Sequence, residues 1–316
     1  MSAISDQYGR VFRTLRVSLL RHCNLGCVYC VAGEEEERER GGWGLAATEL
    51  VEMIGRLHQQ LGLGTVRLTG GEPLLYPALT ELVEGIGMLG IPKLRLTTNG
   101  YLLERKAALL IQAGLQSVNV SLDAIEEQVF VQMSRRHSVG RIIRGIDAAL
   151  DAGLAVKLNA VIMKGMNDGQ VLPLLEFAFS RGIAIRFLEV MAMGHLFQEA
   201  GRYLFTQEEI LERIRERYVL TPVEREVSAT ARYWVTETGH RFGIIANESE
   251  PFCRDCDRLR LDSAGNIYGC LSSNHPIALD RRASGTEWDG KLRKALAQKQ
   301  ALRFTGSDLS MLRIGG

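Results

Sequence analysis

Six cysteines fall into two triplets, and thiolates grouped this way are soft ligands for zinc or for an iron–sulfur cluster. The first triplet, Cys23-x3-Cys27-x2-Cys30, lies in the run Arg21-His22-Cys23-Asn24-Leu25-Gly26-Cys27-Val28-Tyr29-Cys30, directly after an apolar segment at 15–20. Three thiolates can hold three corners of a [4Fe–4S] cube and leave the fourth iron without a protein ligand. An open coordination position is where a substrate or cofactor binds. The second triplet is Cys253-x2-Cys256-x13-Cys270, with Arg258 and Arg260 just beyond its second cysteine. Zinc is the alternative at both places, completed by His22 or a distant residue at the first, and by His240 or His275 at the second. Zinc pairs, however, sit about two to four residues apart and are usually echoed by a second pair, which the first triplet is not. A cluster at the first triplet favours an auxiliary [4Fe–4S] cluster, again with an open iron, at the second.

The chain has to supply a frame for these sites. Its 316 residues suit one large α/β domain with an appendage, and 46% apolar content supports a sizeable core. A net charge of +1 gives no polybasic signal for nucleic acid or a membrane surface. There is no apolar leader and no run of the ~18 apolar residues a membrane span needs, so a cytoplasmic protein is expected, where cysteines serve metals rather than disulfides.

Six strand–helix units follow one another, with strands expected at residues 14–19, 66–69, 93–97, 117–122, 155–162 and 184–191. Helical patterns at 46–61, 79–88, 104–113, 141–152 and 171–181 separate them, several closed by a glycine such as Gly62, Gly114, Gly153 or Gly182. Alternating βα units imply a parallel sheet or barrel. After Met191 the rhythm stops, giving a helix at 207–217, β-rich segments at 231–246 and 258–270, a helix near 288–298 and a polar tail. The expected organisation is an α/β fold, an incomplete (β/α)6 TIM-like barrel over residues 1–200, with a small C-terminal α+β domain over 201–316 carrying the second cluster. The charged run 34–40 reads as a solvated loop.

The strands alternate. Leu15/Val17, Val66/Leu68, Leu94/Leu96, Val118/Val120, Val156/Leu158 and Ile185/Phe187 form one face, suited to packing under helices. The other face carries Arg16/Ser18, Arg67/Thr69, Arg95/Thr97, Asn119/Ser121, Lys157/Asn159 and Arg186. A barrel lumen is ordinarily filled with branched apolar residues. Five cations there are costly unless an anion neutralises them or water reaches them. An open, half-covered sheet would leave some of them in solvent; six strands repeating the pattern favour an anion-filled lumen.

Further motifs end these strands. Gly70-Gly71-Glu72-Pro73 allows close backbone approach to a ligand and offers a carboxylate to an ammonium. Thr97-Thr98-Asn99-Gly100 and Ser121-Leu122-Asp123-Ala124 fall at C-terminal strand ends, where barrel enzymes hold their active sites.

The cysteine spacing, with an aromatic before the last cysteine and Gly-Gly-Glu-Pro one βα unit later, resembles radical S-adenosylmethionine (SAM) enzymes. Within them the combined pattern resembles the GTP 3′,8-cyclases of molybdenum-cofactor biosynthesis, from the Leu15-Arg16-Val17-Ser18 strand to the terminal Arg313-Ile314-Gly315-Gly316. The resemblance implies conversion of GTP to 3′,8-cyclo-7,8-dihydro-GTP, the first step towards molybdopterin, with two [4Fe–4S] clusters and SAM as cofactors. It implies SAM contacts at Tyr29, Gly71, Glu72, Ser121 and Met191, and GTP contacts at Arg16, Arg67, Thr97, Lys157, Arg186, Arg258 and Arg260. It also implies a functional tail at Gly315 and Gly316, an electron donor of flavodoxin or ferredoxin type and a downstream pyranopterin-forming enzyme, and it leaves room for a homodimer.

The chain departs from the pattern at Arg21-His22, at Val31-Ala32, at Thr65 and at Tyr76, and its stretch after Cys270 is short. A radical SAM peptide-maturing enzyme would share both clusters, yet would need neither a cationic lumen nor a Gly-Gly end. A non-enzymatic metal or redox protein would need neither Gly-Gly-Glu-Pro nor the polar lumen.

Overall fold

The computed structural model describes residues 4–33 and 44–315; the charged run 34–40 and Gly316 lie outside the described residues. Strands β1 (Thr14–Ser18), β2 (Thr65–Thr69), β3 (Lys93–Thr98), β4 (Ser117–Ser121), β5 (Ala155–Ile162) and β6 (Ala184–Glu189) pair in chain order, all parallel. Helices α1 (Ala47–Leu61), α2 (Leu79–Gly87), α3 (Leu103–Gln112), α4 (Glu127–Ser134), α5 (Val139–Asp151) and α6 (Val171–Ser180) make the crossovers. The apolar face of the strands is the core: Leu15, Val17, Leu68, Leu96, Val118, Leu158 and Ile185 are wholly buried. Each such side chain contributes about 1.5–3 kcal/mol by leaving water. Helix α1 shows how local chemistry sets the ends. The Glu49 carboxylate accepts from Ala46 N at 2.9 Å, and Gly62 stops the helix at φ 61°, its N–H on His58 O at 2.8 Å.

The residues after β6 give α7 (Ala200–Tyr203), α8 (Gln207–Arg215), β7 (Leu220–Val223), β8 (Arg232–Thr236), β9 (Arg241–Ile245), β10 (Arg258–Leu261), β11 (Asn266–Tyr268), β12 (Ile277–Ala278), α9 (Gly285–Leu296) and α10 (Met311–Ile314). They extend the same sheet at both edges, in the order β12-β11-β10-β1-β2-β3-β4-β5-β6-β9-β8-β7. Both inserted neighbours, β10 beside β1 and β9 beside β6, run parallel, and the outer strands antiparallel. The change of rhythm after Met191 therefore marks no break in the sheet. Glu189 closes one junction: its carboxylate accepts from Gln207 N at 2.9 Å, Glu248 N at 2.9 Å and Ser249 N at 3.0 Å.

The sheet is strongly curled. Four strand spacings would put β2 and β6 about 19 Å apart in a flat sheet. Yet Arg186 on β6 is, after burial, the largest influence lowering the Arg67 pKa on β2. Curling brings the polar faces of distant strands onto one interior space.

Candidate active site

The cysteine loop leaves β1 and is held from three sides. Gly26 N and Val28 N donate to Ser134 O and Met133 O, each at 2.9 Å, so the loop lies along the end of α4. Arg135, in the left-handed region at φ 56°, turns its guanidinium onto Val31 O and Ala32 O at 3.0 Å each. Tyr29 donates its hydroxyl to Asp123 Oδ2 at 2.8 Å, while Asp123 Oδ1 accepts from Val161 N at 2.8 Å. The third hold is Asn99, whose Nδ2 donates to Asn24 Oδ1 at 2.8 Å and approaches Cys23 Sγ at 3.7 Å.

Gly70 and Gly71 thread beside this loop. Gly71 N donates to Leu20 O at 2.7 Å, and a Cβ on Gly71 would stand 2.2 Å from His22 O, so only glycine fits. Glu72, expected to accept from a ligand ammonium, is wholly buried. Its oxygens accept from Leu74 N at 2.9 Å, Thr98 Oγ1 at 2.6 Å and Asn99 N at 2.7 Å. Burial pushes it up to about 7. Through these bonds the carboxylate braces the end of β2 against the end of β3.

The thiols suit a cluster. Burial raises the Cys27 thiol, with Asp123, Cys23 and Cys30 adding to the shift, so Cys27 lies within the fields of both other thiols of the triplet. Among the described residues no three His, Cys, Asp or Glu side chains converge on a single-ion site.

Deeper on the same face, register aligns cations. Arg260, Arg16, Arg67 and Arg95 form one continuous row across β10, β1, β2 and β3. Two residues further up β3, Thr97 starts a second row through Asn119 to Lys157. Arg67 Nη1 donates to Thr97 Oγ1 at 3.4 Å, and Arg186 Nε to Asn159 Oδ1 at 2.9 Å. Arg16 Nε is buried with no hydrogen-bond partner among the described residues. Burial, then Arg260, Arg67, Arg258 and Arg186, hold the Arg16 pKa well below its ordinary value; burial, then Arg186 and Arg95, bring Arg67 down to about 9. Among the described residues, Arg16, Arg67, Arg95, Lys157, Arg186 and Arg260 take part in no ion pair. Of these, Arg67 and Arg260 are buried, Arg16, Arg95 and Arg186 half-buried and Lys157 exposed, and an uncompensated buried charge costs several kcal/mol. A polyanion removes that cost.

The second triplet borders the row through β10. Cys253 and Cys256 sit in one turn, Cys256 N on Cys253 O at 3.2 Å. Arg258, expected to face substrate, donates Nη1 to Cys256 Sγ at 3.4 Å and Nη2 to Ser228 O. Burial alone would raise the Cys256 thiol, but Lys299 and then Arg258 bring it down to about 7; burial, Cys270 and Cys256 push Cys253 up to about 11. Arg10 donates to Cys253 O at 2.5 Å and Gln300 O at 2.9 Å, fixing the loop to the N-terminal arm. His240, a candidate zinc ligand, stacks on Phe179 at 4.4 Å and meets Thr238 Oγ1 at 2.9 Å.

The tail reaches the same space. Gly194 N donates to Ser307 O at 2.9 Å and Ser307 N to Ala192 O at 3.0 Å, which seats the tail along the chain leaving β6. Further on, Arg260 Nη1 donates to Gly315 O. A Cβ on Gly315 would meet Thr69 Cγ2 at 2.8 Å and Ser18 Cβ at 2.9 Å. Ser121, at the end of β4, stands opposite Asn159, and Met191 packs with Met193, Tyr268, Phe304 and Ile314. Tyr76, a departure from the family pattern, is buried with its hydroxyl on Leu45 O at 2.8 Å.

The fold therefore gathers both triplets, the cations and Gly315 around one polar interior. Sequence reasoning assigned no role to Asp123 or Asn99, although both lie in motifs it singled out. Arg10, Arg135 and Lys299 carried no signal.

Comparison with known proteins agrees with this geometry. The radical SAM superfamily model matches residues 17–178, and the Molybdenum Cofactor Synthesis C model matches residues 183–307. A GTP 3′,8-cyclase of Synechocystis sp. is 38% identical over 98% of this chain and 94% of its own length. One of Corynebacterium glutamicum is 40% identical over 85% of this chain and 74% of its own. Among solved structures, Streptococcus suis SuiB bound to precursor peptide SuiA has a TM-score of 0.68 at 17% identity, covering 92% of this chain and 67% of SuiB. At that identity the likeness is one of fold.

Proposed function

The chain belongs to the GTP 3′,8-cyclase family of the radical SAM superfamily, and from that membership we propose that it joins ribose C3′ to guanine C8 of GTP, giving 3′,8-cyclo-7,8-dihydro-GTP for molybdenum-cofactor biosynthesis. The observation that carries the substrate is the row Arg260, Arg16, Arg67 and Arg95, buried or half-buried and without carboxylate partners among the described residues. A triphosphate supplies the missing negative charge, and guanidinium groups suit bidentate contact with it. Lys157, Arg186 and Thr97 extend the same grip along the neighbouring strands.

Superfamily membership implies a [4Fe–4S] cluster and SAM; Cys23, Cys27 and Cys30 would hold that cluster, which with SAM supplies the 5′-deoxyadenosyl radical. Gly71 leaves room for close backbone approach beside the cysteine loop, and Tyr29, Ser121 and Met191 line the SAM side. Cys253, Cys256 and Cys270 would hold a second [4Fe–4S] cluster next to the substrate space. The protein's own work is positioning: the curled sheet walls the ribose off from water and the cations fix the phosphate end. We read the sheet as an incomplete six-stranded barrel, with residues 201–316 as the part that closes it. An electron donor of flavodoxin or ferredoxin type completes the scheme, since reductive cleavage of SAM consumes an electron.

Anaerobic reconstitution with iron and sulfide, followed by mass analysis of products from GTP, SAM and dithionite, tests this. Cyclised GTP together with 5′-deoxyadenosine is expected. SAM cleavage with no consumption of GTP would overturn the substrate and leave the radical chemistry standing.

A further inference from the structure

Lys299 is buried, 6% exposed, in the turn that follows α9. A lysine with so little access to water requires a negative or strongly accepting partner. No carboxylate among the described residues pairs with it. Its Nζ donates instead to Cys256 Sγ at 3.4 Å and to Arg258 O, and it stands over the Phe12 ring, 5.0 Å from the centroid. The backbone around it is pinned: Gln300 O accepts from Arg10, which also holds Cys253 O. The ammonium is thus fixed on one sulfur of the second triplet, with an aromatic face closing the pocket behind it.

We propose that Lys299 is a positioning residue of the second cluster, placing a fixed positive charge and an N–H donor on the Cys256 sulfur and so raising that cluster's reduction potential. The proposal rests on the reading that Cys253, Cys256 and Cys270 hold a cluster. Net charge and hydrogen bonds to the sulfurs are what set iron–sulfur potentials, and partners outside the ligand set orient the ligands themselves. Because Lys299 also donates to Arg258 O, it ties the start of β10, and with it the arginine row, to the sulfur it charges. Arg258 shares the Cys256 sulfur at 3.4 Å.

The test uses the full chain with Cys23, Cys27 and Cys30 changed to Ala, so that only the second cluster loads, reconstituted anaerobically and titrated potentiometrically with electron paramagnetic resonance detection. In this background Lys299→Met should retain iron and shift the midpoint to more negative potential, and Lys299→Arg should restore most of the shift. An unchanged midpoint in Lys299→Met with full iron overturns the proposal. Loss of iron in Lys299→Met but not in Lys299→Arg supports it, whereas loss in both, with lowered melting temperatures, overturns it in favour of a purely structural lysine. If the parent triple variant binds no iron, the second-cluster reading fails first and the proposal falls with it.

Discussion

The Tyr29 hydroxyl donates to Asp123 Oδ2 at 2.8 Å, joining the cysteine loop to the segment just after β4. Asp123 in turn accepts from Val161 N, and its own carbonyl accepts from Asn167 Nδ2 at 2.8 Å. The loop that presents Cys27 and Cys30 is therefore registered against β4 and β5 through one buried carboxylate. Tyr29→Phe removes a hydrogen bond to a charged group, about 1.5–3 kcal/mol. It should leave iron content unchanged while SAM binding weakens at least tenfold by equilibrium dialysis. Wild-type SAM affinity in Tyr29→Phe would show that the hydroxyl positions nothing.

This bond illustrates what a sequence shows and what it hides. The six parallel strands were legible because each alternates aliphatic with polar residues, and the expected 155–162 strand matches β5 end to end. The cationic face was legible for the same reason. The pairing of β10 with β1 and of β9 with β6 was not, since parallel contacts between segments over fifty residues apart leave no local periodicity. Helix α4 was missed because its segment, Glu127–Ser134, is short and mixes polar with apolar residues on most sides. The partners of Glu72 were hidden for a different reason: a carboxylate after two glycines shows nothing in sequence of the Thr98 hydroxyl and Asn99 N–H that it accepts from.

The tail gives a second prediction. Gly315 has φ 78° and lies against Ser18 and Thr69, with its carbonyl on Arg260, so a side chain there is excluded by both backbone and space. Deleting Gly315 and Gly316 should leave melting temperature and iron content unchanged and reduce cyclised product at least a hundredfold. Arg260→Ala should lower product in the same direction. Full turnover after the deletion would reduce the tail to packing.

Metal content is a third. Two clusters correspond to about eight irons per chain, and Ala at Cys23, Cys27 and Cys30 should leave about four and abolish SAM cleavage. Stoichiometric zinc without iron in anaerobically purified protein would refute both clusters.

The buried carboxyls supply a pH dependence. Burial pushes Glu72 up to about 7 and Asp123 up to about 6, so the native state binds these protons more readily than the unfolded chain. Their contribution to stability is complete below pH about 4 and is lost as pH rises through 6 and 7. For Glu72 the loss amounts to roughly 3 kcal/mol. Urea midpoints should fall for the wild type relative to Glu72→Gln between pH 5 and about 7, then run parallel above that. A gap that stays constant from pH 5 to 8 would contradict the burial argument.

Arg95 carries the last prediction. It stands in register with Arg67 and extends the row begun by Arg260 and Arg16. Its charge acts on Arg67, Lys157 and Arg186, so it faces the interior rather than an edge. Thr65, a departure from the family pattern, lies two residues before Arg67 on the same face, and we expect Arg95 to supply from β3 a phosphate-binding charge that β2 lacks there. Arg95→Ala should weaken GTP binding by about 1.5–3 kcal/mol, or roughly 10- to 150-fold, with SAM binding unchanged. Adding Thr65→Lys should recover only part of the loss, because Thr65 stands opposite Lys93 and the new ammonium meets like charge there. Isothermal titration with GTP against the wild type and both variants decides it. Wild-type affinity in Arg95→Ala would mean that the row ends functionally at Arg67 and that Arg95 meets only water.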